Sequence, residues 1–247
     1  MGAINIYHLY PDHLNLYGDR GNMLALCRRA EWHGIKVKII AVNPGDPINF
    51  SNCDLLFMGG GQDSDQKLVA EDLKGRSREI HQAVEDNMVI FAVCGSYQLL
   101  GHYYTTARGE KINGLEIMEL NTEAGKSRLI GNAAINCFLW DPPRTLVGFE
   151  NHGGRTFLGP GLQPLGKVLY GFGNNGSEKT EGAVYKNVIG TYLHGSLLPK
   201  NPWLTDYLLK KALEYRHQEI YFCKLDDSLE EKAHQFALNL AAGNRHK

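Results

Sequence analysis

Apolar and polar positions follow two different rhythms along the chain. Up to residue 93, short apolar runs are separated by stretches of helical spacing. Residues 4–9, 36–42, 54–58 and 88–93 read as strands. The last of these, Met88-Val89-Ile90-Phe91-Ala92-Val93, is continuously apolar, the pattern of a strand buried on both faces. Between them, residues 22–33 have helical spacing stopped by Gly34, and residues 75–87 place Ile80, Ala83 and Val84 on one helix face. Strands alternating with helices predict an α/β fold: a doubly wound, mostly parallel sheet with flanking helices.

Beyond residue 129 the rhythm changes. Residues 129–139, 145–149, 168–171, 182–186 and 188–193 are short β-like runs with little helix between them, and 171–176 (Gly-Phe-Gly-Asn-Asn-Gly) predicts a hairpin loop. These extra strands of the second half are expected to extend or flank the main sheet. Helical spacing returns over residues 203–216, and Ser228-Leu229-Glu230-Glu231 reads as a capping box opening a helix that runs towards Gly243. No repeat or low-complexity linker intervenes. One domain over residues 1–247 is therefore expected, with its core at about 4–200 and C-terminal helices over 203–243.

Composition narrows the function classes. With 247 residues, roughly 70–75% of the unfolded surface can be buried, so a core needs no metal or disulfide. The net charge of −1 and the lack of a basic stripe argue against nucleic acid. No apolar run approaches the ~18 residues of a membrane span. The N-terminal stretch has no basic leader before an apolar core, so no secretory signal is expected. Gly2 lacks the Ser or Thr at residue 6 that myristoylation needs, because Ile6 stands there. Five cysteines at irregular spacing, with no CxxC and no Cys/His cluster, support neither a disulfide framework nor a metal site. A reducing cytosol is the expected location.

Cys94 carries the chemistry. In parallel α/β sheets, ligands bind at the carboxyl ends of strands. A cysteine at a sharp strand-to-helix elbow is lifted out of the sheet, and the helix N-terminus favours its thiolate. The ordinary alternative is a small buried thiol. A nucleophilic thiol needs a base. Among ten histidines, His33, His81, His217, His234 and His246 lie in segments that read as solvated, and His8, His13 and His102 read as structural. His194, at the end of the strand 188–193, and His152, in a polar loop over 150–156, are both candidates. A third element, Gly59-Gly60-Gly61, follows the strand 54–58; side-chain-free backbone there suits an oxyanion. Ala124-Gly125-Lys126-Ser127 has the tail of a phosphate-binding loop, but Leu120 stands where its opening glycine belongs, so no ATP site is read from it.

The stretch Ala92-Val93-Cys94-Gly95-Ser96-Tyr97-Gln98 resembles the Gly-x-Cys-x-Gly-x-Gln nucleophile motif of class I glutamine amidotransferases, with both glycines replaced by small residues. That resemblance implies a flavodoxin-like fold and places the catalytic histidine at His194. Most of that class carry His-x-Glu, whereas this chain has His194-Gly195-Ser196. The missing glutamate resembles the CobB/CobQ-like branch, which works with a Cys–His dyad. Tyr17-Gly18-Asp19-Arg20-Gly21-Asn22, Gly59-Gly60-Gly61-Gln62-Asp63 and Glu150-Asn151-His152-Gly153-Gly154-Arg155-Thr156 are similar, within that branch, to the glutaminase subunits of lipid II isoglutaminyl synthases.

From this resemblance follow the expected roles. Cys94 and His194 are catalytic. Arg128, Gly60, Gly61, Gln62, Gly95 and Gln98 bind L-glutamine, with the Arg128 fork on the α-carboxylate. Asp19, Arg20, Asn151 and His152 are expected at a rim or docking face. The partner implied is a MurT-like subunit of the Mur-ligase family, which uses the ATP and through which lipid II is reached, so this chain has no cofactor of its own. No carboxylate for His194 is evident in the sequence, and a backbone carbonyl or a partner residue is expected to orient it. Two other readings stand beside this one: an amidotransferase for another acceptor such as a corrinoid, and a non-catalytic scaffold of the same fold.

Overall fold

The computed structural model describes residues 2–218 and 221–243. In chain order the first half runs β1 (Ala3–Leu9), α1 (Arg20–Trp32), β2 (Lys36–Val42), β3 (Leu55–Met58), α2 (Asp63–Glu85), β4 (Val89–Val93) and α3 (Gly95–Leu99). Then come β5 (Tyr103–Thr105), β6 (Lys111–Asn113), β7 (Leu120–Cys137), β8 (Arg144–Leu158), β9 (Gly166–Tyr170), β10 (Thr180–Glu181), β11 (Ala183–Tyr185) and β12 (Val188–Thr191). Two helices follow, α4 (Pro202–Tyr215) and α5 (Ser228–Gly243).

The main sheet has the order β11-β12-β4-β3-β1-β2. All its pairings are parallel except the edge pair β11–β12. The chain steps one way from β1 to β2 and the opposite way from β3 to β4. Right-handed crossovers then put α1 and α2 on opposite faces, which makes the sheet doubly wound. β3 and β4 are buried at every position, as their unbroken apolar runs require. Gly34 takes φ +74° just past α1, the left-handed stop its position predicts.

Most of the additional strands build a second sheet, ordered β10-β9-β7-β5-β6, with β8 on the other side of β7. Only β11 and β12 extend the main sheet. α5 covers the second sheet by packing on β7 and β8, and its Ala241 is buried beside Ala134 and Val147. The two long strands β7 and β8 correct the shorter runs expected there. Residues 150–156, expected as a polar loop, are strand, because they pair with β7 from Thr122↔Thr156 to Gly131↔Glu150 across a register shift. Ala124–Ser127 sits at that shift within β7, with no helix following, so it has no phosphate-loop geometry. α2 begins at Asp63 rather than near residue 75, and Gly75 lies inside it with nothing near the position of a Cβ. Ser228 is inside the first turn of α5; its own N–H donates to the Asp226 carboxylate instead of its side chain capping the helix.

Register brings the functional loops to one edge. Met58 is opposite Ala92 and Thr191 is opposite Val93, so the glycine run, Cys94 and His194 all leave the sheet at neighbouring carboxyl ends. His194 is pinned further by a bridge to Phe149 of β8, with N···O distances of 2.7 and 3.2 Å. That bridge ties the second sheet to the active edge of the first.

Candidate active site

Cys94 stands at the turn between β4 and the short helix α3 with φ +54° and ψ −109°. A side chain rarely adopts this backbone, and holding it costs on the order of 1–3 kcal/mol, supplied by the surrounding packing. The Cys94 N–H donates to the Thr191 carbonyl and the Cys94 carbonyl accepts from Gln98 N–H, which fixes the elbow at both ends. The Ser96 hydroxyl donates to the Gly59 carbonyl, joining the elbow to the glycine turn.

The glycine run is there for close approach, and none of its three residues has positive φ. A Cβ on Gly59 would fall 2.3 Å from the Leu14 carbonyl oxygen, and one on Gly61 2.5 Å from Leu14 Cδ2. Gly60 is the junction: a Cβ there would lie 3.0 Å from His194 Cε1, 3.3 Å from Cys94 Cβ and 3.4 Å from Asp19 Oδ2. Thiol, imidazole and carboxylate therefore surround one point of backbone.

Asp19 is fully buried, not at a rim. Its Oδ2 accepts the Gly60 N–H at 2.6 Å, and its Oδ1 lies 3.8 Å from His194 Nδ1. This carboxylate from the same chain removes the expectation that a backbone carbonyl or a partner must orient His194. The Gly60 N–H, already donated to Asp19, is unavailable to an oxyanion. His194 is itself fully buried. Burial disfavours its charged form, but the neighbouring Cys94 and Asp19 outweigh that and push the imidazole up to about 10. Ser196, in the place of the family glutamate, donates its hydroxyl to the Gly18 carbonyl at 2.7 Å, and Asn22 Oδ1 accepts the Leu198 N–H at 2.9 Å. The stretch 18–22 thus clamps the His194 loop, while Arg20 is exposed at the start of α1.

His152 is also buried, stacked on Tyr192 with centroids 3.6 Å apart and planes at 8°. Its Nδ1 lies 2.9 Å from the Gly154 carbonyl, so the proton sits on Nδ1 and Nε2 is a lone-pair acceptor. Desolvation, reinforced by Arg155, His194 and Arg128, holds this ring neutral, with a pKa lowered to about 3.

A cavity of about 760 Å³ opens beside Cys94. Cys94, Gly61, Gln62, Gln98, Arg128, Asn151 and His152 of the expected site line it, and Gly60 and Gly95 do not. Gln66 of α2, which sequence reasoning missed, lies against Gly95: a Cβ there would be 2.8 Å from its Nε2. Three buried acceptors on this lining, Gln66 Oε1, Gln98 Oε1 and His152 Nε2, have no hydrogen-bond partner. Gln98 is held by its Nε2, which donates to the Tyr192 hydroxyl at 3.0 Å. Arg128 is braced by Asn151: Nε and Nη2 each donate to it at 2.7 Å, leaving Nη1 for a ligand. Of the other histidines, His217 is exposed, as its segment reads in the sequence. Contrary to the solvated reading, His33 and His234 are buried, the latter between Thr145 and the Lys200 carbonyl. His246 lies outside the described residues. Among the described residues no cluster of His, Cys, Asp or Glu could hold a metal ion, and no helix is long and apolar enough to cross a membrane.

Comparison with known proteins gives the chain its family. The profile of the CobB/CobQ-like glutamine amidotransferase domain matches residues 5–202. The chain is 43% identical to the Staphylococcus aureus (strain N315) lipid II isoglutaminyl synthase (glutamine-hydrolyzing) subunit GatD, covering 100% of this chain and 99% of that one. Identity is 40% to the protein of the same name from Streptococcus pneumoniae, over 93% of this chain and 88% of that one. A cobyric acid synthase from Clostridium botulinum (strain Kyoto / Type A2) is 26% identical over 70% of this chain but only 36% of its own length. Among solved structures, PurLQS from Thermotoga maritima superposes with a TM-score of 0.59 at 16% identity, covering 87% of this chain and 100% of that one, a likeness of fold.

Proposed function

The chain belongs to the CobB/CobQ-like glutamine amidotransferase family, and from that premise we propose that it is the glutaminase subunit of a lipid II isoglutaminyl synthase. The observation that carries the reading is the meeting of Cys94, His194 and Asp19 around Gly60 at the end of a cavity lined by Arg128.

Substrate binding follows from the cavity's chemistry. The α-carboxylate of L-glutamine pairs with Arg128 Nη1, and the unpartnered acceptors of Gln66, Gln98 and His152 receive its ammonium or amide N–H groups. Cys94 thiolate attacks the side-chain carbonyl carbon, and the C=O electron pair moves onto oxygen. The N–H groups of Gly61 and Gly95 are the donors for this oxyanion; Gly60, expected beside them from sequence, drops out because its N–H is held by Asp19. The His194 imidazolium gives its proton to the departing nitrogen, so the C–N bond breaks to release ammonia and leave a glutamyl thioester. Neutral His194 then takes a proton from water, hydroxide attacks the thioester, and glutamate leaves as the thiolate–imidazolium pair returns. Asp19 faces the imidazolium throughout. His152 is excluded as the acid because its ring stays neutral until strongly acidic pH.

The ammonia passes to a MurT-like partner of the Mur-ligase family. There ATP activates the α-carboxyl of D-glutamate in the lipid II stem peptide, which becomes D-isoglutamine. This chain needs no cofactor for its own step, and it is placed in the cytoplasm, meeting the membrane through its partner and lipid-linked substrate. Co-purification with such a partner, followed by assays of glutamate release and precursor amidation, tests the reading. Both activities are expected in wild type and neither in Cys94→Ser. Equal glutamate release from the two proteins favours a scaffold, and release without lipid II amidation favours another acceptor.

A further inference from the structure

We propose that Cys223 is a second reactive thiol, a modification site that exchanges with small cationic disulfides and is separate from the glutamine chemistry. It lies in the segment between α4 and α5 and is the exposed member of the five cysteines. Its Sγ is 3.4 Å from His33 Nδ1 and 3.3 Å from the Trp32 carbonyl oxygen. On the far side of the ring, His33 Nε2 is 3.0 Å from Asp206 Oδ1. The carboxylate can only accept there, so the ring proton sits on Nε2 and Nδ1 presents its lone pair to the thiol. The ring is fixed as well as oriented: its side chain is 2% exposed and it stacks on Phe222 with centroids 4.2 Å apart. Nucleophile, base and orienting carboxylate are the arrangement that activates a thiol.

Charge completes the case. Arg29 is bound by both Asp206 and Asp227, so one guanidinium faces two carboxylates. The pocket beside the sulfur is lined by Arg29 and Lys224 against Asp206, Asp226, Asp227 and Glu231, an acidic surplus that attracts cations. The structural cysteines offer no competition: burial pushes Cys27 up to about 11 and raises Cys53 and Cys137 further.

The step balances without another reactant. Cys223 gives its proton to His33, the thiolate attacks one sulfur of R–S–S–R, and the S–S bond breaks. The products are Cys223–S–S–R and R–S⁻, which takes the proton from His33. Cys223 is oxidised and the departing thiol is reduced.

Full-length Cys94→Ser protein, treated separately with cystamine and 3,3′-dithiodipropionate, tests this, with peptide mass spectrometry locating and timing the adduct. Cystamine should react at Cys223 about tenfold faster than with a Gly-Cys-Gly peptide, and about tenfold faster than the anionic disulfide reacts there. His33→Phe, which keeps a ring against Phe222, should remove most of the advantage over the peptide. A Cys223 rate no higher than the peptide's, an adduct at Cys27 instead, or an unchanged rate in folded His33→Phe overturns the proposal. Should His33→Phe fail to fold by circular dichroism, the wild-type-to-peptide ratio and the preference between disulfides decide alone.

Discussion

Asp19 Oδ1 lies 3.8 Å from His194 Nδ1, and the two side chains, both fully buried, belong to opposite ends of the chain's first two hundred residues. The same carboxylate grips the Gly60 N–H through its other oxygen, so it orients both the imidazole and the turn against Cys94. Asp19→Asn keeps the size and can keep the Gly60 bond, but places a neutral group opposite the imidazolium. Glutamine hydrolysis measured with the partner present should lose about 10²-fold or more in kcat, with KM changed little. An undiminished kcat would show that Asp19 is only structural.

The two buried histidines should separate cleanly. His194→Ala removes the proton carrier beside Cys94 and should cut kcat by roughly 10²–10⁴-fold. His152→Ala removes a neutral acceptor and should act mainly through KM. Amidation that survives His194→Ala but fails in His152→Ala would reverse the assignment.

Arg128, braced by Asn151, should act on binding. Arg128→Ala deletes a charge-assisted contact of about 1.5–3 kcal/mol, a rise in KM for glutamine of roughly 10- to 10²-fold. Arg128→Lys should restore only part of it, because an ammonium lacks the planar donor set that bonds Asn151 through Nε and Nη2 while presenting Nη1. Initial rates across a glutamine concentration series check both.

Gly60→Ala tests the junction. Its methyl would stand 3.0 Å from His194 Cε1, so the imidazole must move or the turn must open. Activity should fall at least tenfold, while thermal unfolding shows a cost of about 1–3 kcal/mol, the range for overpacking. Full activity in this variant would mean that Gly60 does not abut the reacting groups.

Stability should decline with rising pH through Glu181. This fully buried carboxyl accepts the Tyr192 N–H at 2.6 Å, yet desolvation dominates and pushes it up to about 8. The folded state therefore holds the proton more tightly than the unfolded chain does. The contribution is complete below the ordinary carboxylate range and is lost as pH rises through about 8. Glu150, pushed up to about 7, has the same sign. Between pH 7 and 9 the melting temperature should fall further for wild type than for Glu181→Gln. Parallel curves would contradict this.

What the amino-acid order determined by itself was local. Apolar run length and helical spacing specified β1 to β4, α1 and α4, because each depends on neighbours within a few residues. Cys94, His194 and the glycine run were legible as ligand-facing because each follows a strand, and a parallel sheet gathers such ends on one edge. Tertiary structure decided the rest. Asp19 became the partner of His194 because the strand order sets β1 beside β3 and the loop after β1 folds under Gly60; the missing glutamate in His194-Gly195-Ser196 could not announce that. Residues 150–156 look like a loop on polarity but are strand, since their backbone groups are satisfied across β7. His33 and His234 sit in polar-looking segments yet are buried, because the helices or strands packed over them come from distant parts of the chain. Burial and charge pairing across such distances depend on which surfaces meet, and that is settled only when the sheets and helices assemble.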